Sequence, residues 1–519
     1  MAIKIILLVV FFAAMVGIGI YCRKKAVNVN GFVLGGRAVG PWLTAFAYGT
    51  SYFSAVVFVG YAGQFGWKYG MAVTWVGIGN ALIGSLLAWA VLGRRTRVMT
   101  QHLDSATMPE FFGRRFGSPA LKIAASVVTF IFLIPYTASL YNGLSRLFGL
   151  AFNIDYSVCV IVMAILTGIY VIAGGYMATA INDFIQGIIM LFGICAVIVA
   201  VLKSQGGFIE ALNGLANVTD ETVSSTPGIF NSFFGPDPLN LLGVIILTSL
   251  GTWGLPQMVQ KFYAIKSEKS IGMGTIVSTV FALIVAGGCY FLGGFGRLFS
   301  DSMDIVDGVP AGGYDSVIPT MLSGLPDLLI ALVVILVLSA SMSTLSSLVL
   351  TSSSTLTLDL LKGHVFRKMD EKRQVLIMRC LIVVFIAISV VLAIVQYNSS
   401  ITFIAQLMGV SWGALAGAFL APFLYGLYWK RTTKIACWVS FIFSTVFMLA
   451  VISPLKSFLP ALLQSPINAG AFCMIAGLIL VPIVSLLTPA PKKELVDDAF
   501  SCYDQKVTVR RSEALGDEE

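Results

Sequence analysis

Gly49-Thr50-Ser51-Tyr52-Phe53-Ser54, inside an apolar run of about residues 39–64, decides how this chain is read. A second stretch, Gly251-Thr252-Trp253-Gly254-Leu255-Pro256, lies in the same way inside the run 240–260. Each run is long enough to cross ~30 Å of hydrocarbon as a helix. Glycine and proline in mid-run weaken or remove the helical hydrogen-bond ladder. Backbone groups freed there cannot face lipid and must line a cavity within the protein. Interrupted helices in corresponding places of two halves point to the binding site of a secondary transporter. The competing explanation is chance, because Gly and Pro are frequent in membrane helices.

Outward from these stretches, the chain is built for lipid. Of its 519 residues, 57% are hydrophobic and only 11% charged, with a mean hydropathy of +0.91. A soluble domain carries roughly 25% charged residues. Hydropathy predicts an all-α integral membrane protein with about thirteen transmembrane helices. They fall near 3–22, 39–64, 70–93, 121–149, 156–174, 180–202, 240–260, 271–297, 325–361, 374–397, 401–429, 434–456 and 466–488. One transmembrane domain is expected over 1–490, with a disordered cytoplasmic tail over 491–519. The first run lacks a basic leader and a small-residue cleavage site, so it reads as a span rather than a signal peptide. Five spans begin at the broken second and five at the broken seventh, which divides the chain into repeats of about 39–202 and 240–429.

The net charge of +8 sits in short loops between apolar runs, which is the signature of membrane topology rather than of nucleic-acid binding. With the N-terminus outside, basic residues favour the inner loops by about four to one, so the N-terminus is predicted outside and the C-terminus cytoplasmic, in the cell membrane. The inner set includes Arg37, Arg97, Arg115 and Lys261. The outer loops 203–239 and 298–324 are acidic, polar and rich in Gly and Pro. No phosphate-binding loop, HExxH or GxSxG motif occurs, the two histidines fall in predicted loops, and no two cysteines form a CxxC pair. An enzyme and an ATP-driven pump are therefore not expected.

Two groups of residues could carry an ion. In the ninth span, Ala340, Ser343 and Thr344 stand at i, i+3 and i+4, on one helical face. A hard monovalent cation takes neutral oxygens from hydroxyls and freed carbonyls, and carbonyls near Thr50 and Phe53 in the broken second span could complete such a set. Close helix packing explains many serines in membrane helices but explains the Ser-Thr pair less well. Asp183, near the inner end of the sixth span, is an intramembrane acid and hence a functional candidate. The plainer alternative is an acid snorkelling to the interface.

Four motifs in order carry a family resemblance: Leu34-Gly-Gly-Arg37, Gly174-Gly175 through Asp183-Gln186-Gly187, Met342-Ser-Thr-Leu345, and Gly409 to Trp429. With them the chain resembles the sodium/solute symporter family, whose members carry proline, pantothenate, short monocarboxylates and sugars. The resemblance implies a LeuT-type fold of two inverted five-helix repeats with flanking helices. It implies Na+ as coupling ion, held by Thr50, Phe53, Ala340, Ser343 and Thr344. It also implies that Asp183 assists ion release and that Arg37 lies at the inner gate. For the solute, Ser54, Tyr136, Trp253, Pro256 and Gln406 are the expected lining, because they are amphipathic or lie on broken or gate-adjacent spans.

Ser54, Tyr136 and Pro256 are shared with the proline branch, while Tyr52-Phe53, Thr248 and Thr252 depart from it. Ala180-Ile-Asn-Asp183 departs from the sugar branch. The expectation is a symporter for a small organic solute (an amino acid, pantothenate-like compound or other monocarboxylate), not a plain proline carrier. A proton-coupled carrier of the same fold and a sodium-coupled sugar carrier are the alternatives. Expected partners are the solute, Na+ and membrane lipid, with no nucleic acid and no obligate protein partner. In a cysteine-free background, cysteines placed at 220 and 305 should label from outside and one at 268 from inside; labelling of 220 and 268 from the same side would overturn the topology.

Overall fold

The computed structural model describes residues 2–152, 155–224, 226–306, 308–366, 369–399 and 404–503. Its main helices are α1 (Ala2–Cys22), α2 (Pro41–Tyr52), α3 (Val56–His102), α4 (Pro119–Phe152), α5 (Tyr156–Ser204), α6 (Pro238–Gly254) and α7 (Pro256–Ala264). They continue as α8 (Lys269–Gly293), α9 (Asp327–Thr355), α10 (Glu371–Ser399), α11 (Ile404–Tyr428), α12 (Lys434–Val451), α13 (Pro466–Leu487) and α14 (Lys493–Ser501). A two-stranded antiparallel ladder, β1 (Ile305–Val306) with β2 (Val309–Pro310), lies in the 298–324 loop, outside any apolar run.

Both expected interruptions are present. Helix α2 ends at Tyr52, Phe53 is extended (φ −83°, ψ 123°), and α3 resumes with a π-helical turn over Val56–Tyr61. Helix α6 ends at Gly254, Leu255 is extended, and α7 starts on Pro256 at 45° to α6. Proline at the first turn of α7 follows from its missing N–H, which has no intrahelical acceptor there.

The thirteen expected segments do not appear as thirteen separate helices. Among the described residues, ten helices are long and apolar enough to cross a membrane, or eleven if α6 and α7 form one span. The difference arises from short joints. Gly70 (φ +59°) bends α3 and Gly175 (φ +55°, ψ −149°) bends α5, so each helix turns a corner with no intervening loop. Both glycines leave the helical region, so each long helix is two segments meeting at a kink. Divided at these glycines, α3 and α5 each cover two of the predicted segments.

Burial is inverted relative to a soluble protein. The strongly apolar α1 is a flanking helix with 22% of its apolar window buried, against 72% in α9 with its extension to Lys362, and 89% in α11. Serine-rich α9 packs against α5, α4 and α2, and glycine-rich α11 against α12, α13, α4 and α6. Small and hydroxyl-bearing residues let these backbones approach closely, since lipid gives apolar side chains no reason to turn inward.

The tail departs from expectation. Lys493–Ser501 is helical, with Val496, Ala499 and Phe500 buried and Phe500 under the Arg115 guanidinium at 4.9 Å. A short amphipathic helix is too small for a charge-based reading of the tail to detect. The rest of the tail expectation, 504–519, lies outside the described residues.

Gly175 occupies a backbone region nearly closed to side chains, and a Cβ there would meet the Phe32 carbonyl oxygen at 2.8 Å. Gly175→Ala should destabilise the detergent-solubilised protein by about 1–3 kcal/mol, read as a lowered thermal midpoint. Gly17→Ala, where a Cβ meets nothing within 4 Å, should leave the midpoint in place.

Candidate ion and solute site

Where α2 ends, carbonyls lose their partners four residues on. Helix α9 crosses at this point. Ser343 Oγ lies 3.0 Å from the Thr50 carbonyl and 2.9 Å from that of Ala340. Thr344 Oγ1 lies 3.2 Å from the Thr50 carbonyl, 3.2 Å from that of Phe53 and 3.1 Å from that of Ala340. The structure thus brings together all five residues of the expected ion set, every one buried. Each hydroxyl carries one proton, so the two cannot satisfy three carbonyls at once. The surplus is of acceptors, with no carboxylate among them. That chemistry suits a cation of single charge better than a divalent one, whose sites recruit carboxylates.

Asp183 does not snorkel. It is fully buried in α5, 3.8 Å from Lys261 Nζ in α7. Lys261 is itself buried and donates to Ser347 Oγ at 3.0 Å, and Ser347 Oγ is 2.8 Å from Ser51 Oγ in α2. Counting Lys261 as a loop charge was therefore wrong. Hydropathy ends the seventh span at 260, but α7 continues to Ala264 with all nine residues buried. Arg97 and Arg115, also counted as loop charges, are buried as well.

Arg37, at a positive φ of 53°, donates to the carbonyls of Ser105 (2.7 Å), Tyr263 (3.3 Å) and Thr100 (3.4 Å). Beside it Val39 and Ile265 form a parallel bridge, with Lys266 N donating to Val39 O at 2.8 Å. On this basic face the ends of both broken spans are joined. The opposite, acidic loop face carries a cavity of about 1030 Å³ that runs from Thr222, Asp237 and Lys456 down to Gln406 and Pro135.

The solute candidates separate. Gln406 lines this cavity. Tyr136 lies one residue beyond Pro135 and is buried, edge-on to Trp412 at 5.9 Å, while Tyr52 flanks the same indole at 5.8 Å. Gly251 makes room for that indole, since a Cβ would sit 2.5 Å from Trp412 Cε3. Among the described residues, Ser54 Oγ, Tyr136 Oη and Trp412 Nε1 are buried with no partner at normal hydrogen-bond distance, and Tyr136 Oη faces the other two. Pro256 opens α7, and the amide of the next residue, Gln257, is likewise unpartnered. Trp253 is elsewhere: its indole N–H donates to the Ile83 carbonyl at 2.9 Å. The hydroxyls of Thr248 and Thr252 are bonded to backbone carbonyls at 2.8 and 2.9 Å.

Tyr52 and Trp412 were absent from the expected lining. Trp412 falls in an unbroken span, and only the packing of α6 on α11 brings it to the break.

Two interrupted helices, a crossing hydroxyl-bearing helix and a cavity open on one face define a LeuT-type secondary transporter. The comparisons agree. The structure matches a substrate-bound, outward-open Na+-coupled sialic acid symporter with a TM-score of 0.74 at 18% identity, covering 94% of this chain and 98% of that one. It matches inward-facing Mhp1 with a TM-score of 0.51 at 12% identity, covering 89% and 94%. The sequence model of the sodium:solute symporter family matches residues 32–444. The osmoregulated proline transporter OpuE of Bacillus subtilis is 30% identical over 509 residues, spanning 95% of this chain and 96% of that protein. A Staphylococcus aureus sodium/proline symporter is 30% identical over 438 residues, spanning 83% and 82%. The chain belongs to the sodium:solute symporter family. It is a multi-pass membrane transporter that couples uptake of a small organic solute to Na+.

The geometry sets two neighbouring aromatic substitutions apart. Tyr136→Phe, which deletes an unpartnered hydroxyl, should raise the apparent KM for solute severalfold, a loss of about 1 kcal/mol. Trp253→Phe should leave that KM near its original value and lower thermal stability instead. Equal KM effects of both would remove Tyr136 from the solute site.

Proposed function

We propose that Na+ binds within the five oxygens of Thr50, Phe53, Ala340, Ser343 and Thr344, and that the solute binds beside it against Tyr52, Tyr136 and Trp412. The observation that carries this reading is the convergence of three carbonyls and two hydroxyls, all buried, where α9 crosses the break after α2. The solute is a compact amino acid or other monocarboxylate. Ser54, Tyr136 and Trp412 offer unpartnered hydroxyl and indole donors for a carboxylate, and the rings offer an apolar wall. The curated relatives that carry proline support a proline-like solute, which falls within the amino acids expected from the sequence. Gln406 meets the solute on its way through the cavity.

The repeats run about 39–202 and 240–429, within one domain over 1–490. The basic face is cytoplasmic, with the N-terminus outside and the C-terminus inside, in the cell membrane. Arg37 closes the cytoplasmic end, and Asp183 receives the ion on release. Lipid surrounds the spans.

The coupling is strong enough for accumulation. At about −100 mV one sodium charge supplies roughly 2.3 kcal/mol, and a tenfold Na+ gradient adds about 1.4 kcal/mol. Together these would concentrate a neutral or zwitterionic solute about 500-fold.

The test is solute uptake against Na+ concentration in proteoliposomes, with proline and short monocarboxylates as solutes. Ser343→Ala and Thr344→Ala should each raise the half-saturating Na+ concentration about tenfold to a hundredfold, the equivalent of roughly 1.5–3 kcal/mol for a contact to a charge. Thr344→Ser should be mild, since the hydroxyl survives. Were these residues merely packing the helices, Ser343→Ala would be nearly silent and enlarging Ala340 would do the damage. An unchanged half-saturating concentration in both alanine variants would place the ion elsewhere.

A further inference from the structure

We infer that Lys261 is the gating residue that locks the cytoplasmic exit of the sodium site, and that its ammonium must leave Asp183 and Ser347 before Na+ can pass inward. The inference rests on the sodium cage proposed above. A lysine inside a membrane protein is costly unless paired and is a functional candidate by default. Lys261 is 2% exposed, and its Nζ meets three side chains on two helices. It faces Asp183 of α5 at 3.8 Å, donates to Ser347 of α9 at 3.0 Å, and lies 5.2 Å from the Tyr176 ring. Ser347 lies one helical turn beyond Ser343, on the side of the cage toward the basic face, and its hydroxyl meets that of Ser51, the neighbour of Thr50. The ammonium thus stands one turn from the cage, in line with the polar face of α9.

The preceding residue reinforces the lock. Gln260 Oε1 accepts from Thr351 of α9 at 2.8 Å, and Gln260 Nε2 donates to the Val33 carbonyl at 3.1 Å. Helix α7 therefore covers the hydroxyl row of α9 from Ser347 to Thr351. Neither Asp183 oxygen has a hydrogen-bond partner among the described residues, so Lys261 supplies the positive charge it faces. A sodium ion moving from the cage along this row would reach the same carboxylate and hydroxyl that the ammonium now holds. Both cations cannot sit there, so the lysine blocks the ion until α7 swings away. Because α7 is the second half of the broken span next to the solute cluster, solute binding can be read at this lock.

Removing the ammonium should uncouple the cycle, since loss of a buried pair is worth more than a decade in an opening equilibrium. In proteoliposomes without solute, Lys261→Met should raise radioactive Na+ uptake about tenfold or more over the parent protein and lower the solute carried per Na+. Lys261→Arg, which keeps the charge, should restore low leak. Lys261→Gln should leak as Lys261→Met does, because both remove the charge, whereas Asp183→Asn, which leaves the ammonium on Ser347 and removes the carboxylate that receives the ion, should not reproduce that leak. If Lys261→Met does not reach the membrane, Lys261→Gln carries the same test.

A merely structural lysine would lower stability in every variant without solute-independent Na+ flux, and that result would overturn the inference. Equal leak through Lys261→Arg and Lys261→Met would overturn it too. The cage is judged separately: if Ser343→Ala shifts Na+ activation while Lys261→Met stays tight, the lock fails alone. If Lys261→Met leaks while Ser343→Ala changes nothing, the cage fails and the lock stands.

Discussion

The interaction on which the rest depends is the one between the carbonyls freed after α2 and the hydroxyls of α9. A membrane interior offers no water to unpaired backbone. Thr50 and Phe53 can end a helix in mid-span only because Ser343 and Thr344 reach their carbonyls at 3.0–3.2 Å. That need dictates the neighbours. Helix α9 must be buried and hydroxyl-bearing, and α5 and α4 must enclose it. Apolar α1 is then left to face lipid. The same acceptors that need these hydroxyls have too few protons between them, which makes the joint attractive to a small cation. Structure and ion chemistry arise from one shortage.

The second break works differently. No hydroxyl cage forms at Leu255. Instead α7 begins afresh on Pro256 and projects a polar, fully buried segment toward the basic face. Its Gln260 and Lys261 side chains lie across the hydroxyl row of α9, and its end pairs with Val39 beside Arg37. The two broken spans thus differ: the first offers backbone oxygens to α9, and the second offers it the Gln260 and Lys261 side chains. The cavity lies on the acidic loop face, while at the basic face Arg37 and the Val39–Ile265 bridge join the span ends.

Much of this was legible in the chain. The breaks were visible because Gly and Pro in a span leave a mark in composition, and the face of Ala340, Ser343 and Thr344 because helical periodicity is exact enough to align i, i+3 and i+4. Ser54 and Tyr136 were singled out by their polar or amphipathic character and by positions shared with the proline branch. Trp253 was misjudged: a tryptophan at a break looks like a solute contact, but its N–H is directed to the Ile83 carbonyl, and direction is not a property of sequence position. Trp412 and Lys261 were overlooked in opposite ways. The tryptophan sits in an unbroken span, and the lysine sits just past a span that hydropathy ends too early.

By itself the sequence determined that the chain spans a membrane, where its ladders break, which helix carries hydroxyls at cage spacing, and the family to which the motifs belong. These are consequences of hydrophobic length, backbone chemistry and helical period, all of which act within one segment. Only the tertiary structure decided which carbonyls meet which hydroxyls, that Asp183 faces Lys261, that Trp412 joins Tyr52 and Tyr136, and that the cavity lies on the acidic loop face. Those facts depend on how helices far apart in the chain cross. Crossing is set by the packing of small residues such as Gly251 against a distant ring, a relation between segments that no single segment contains.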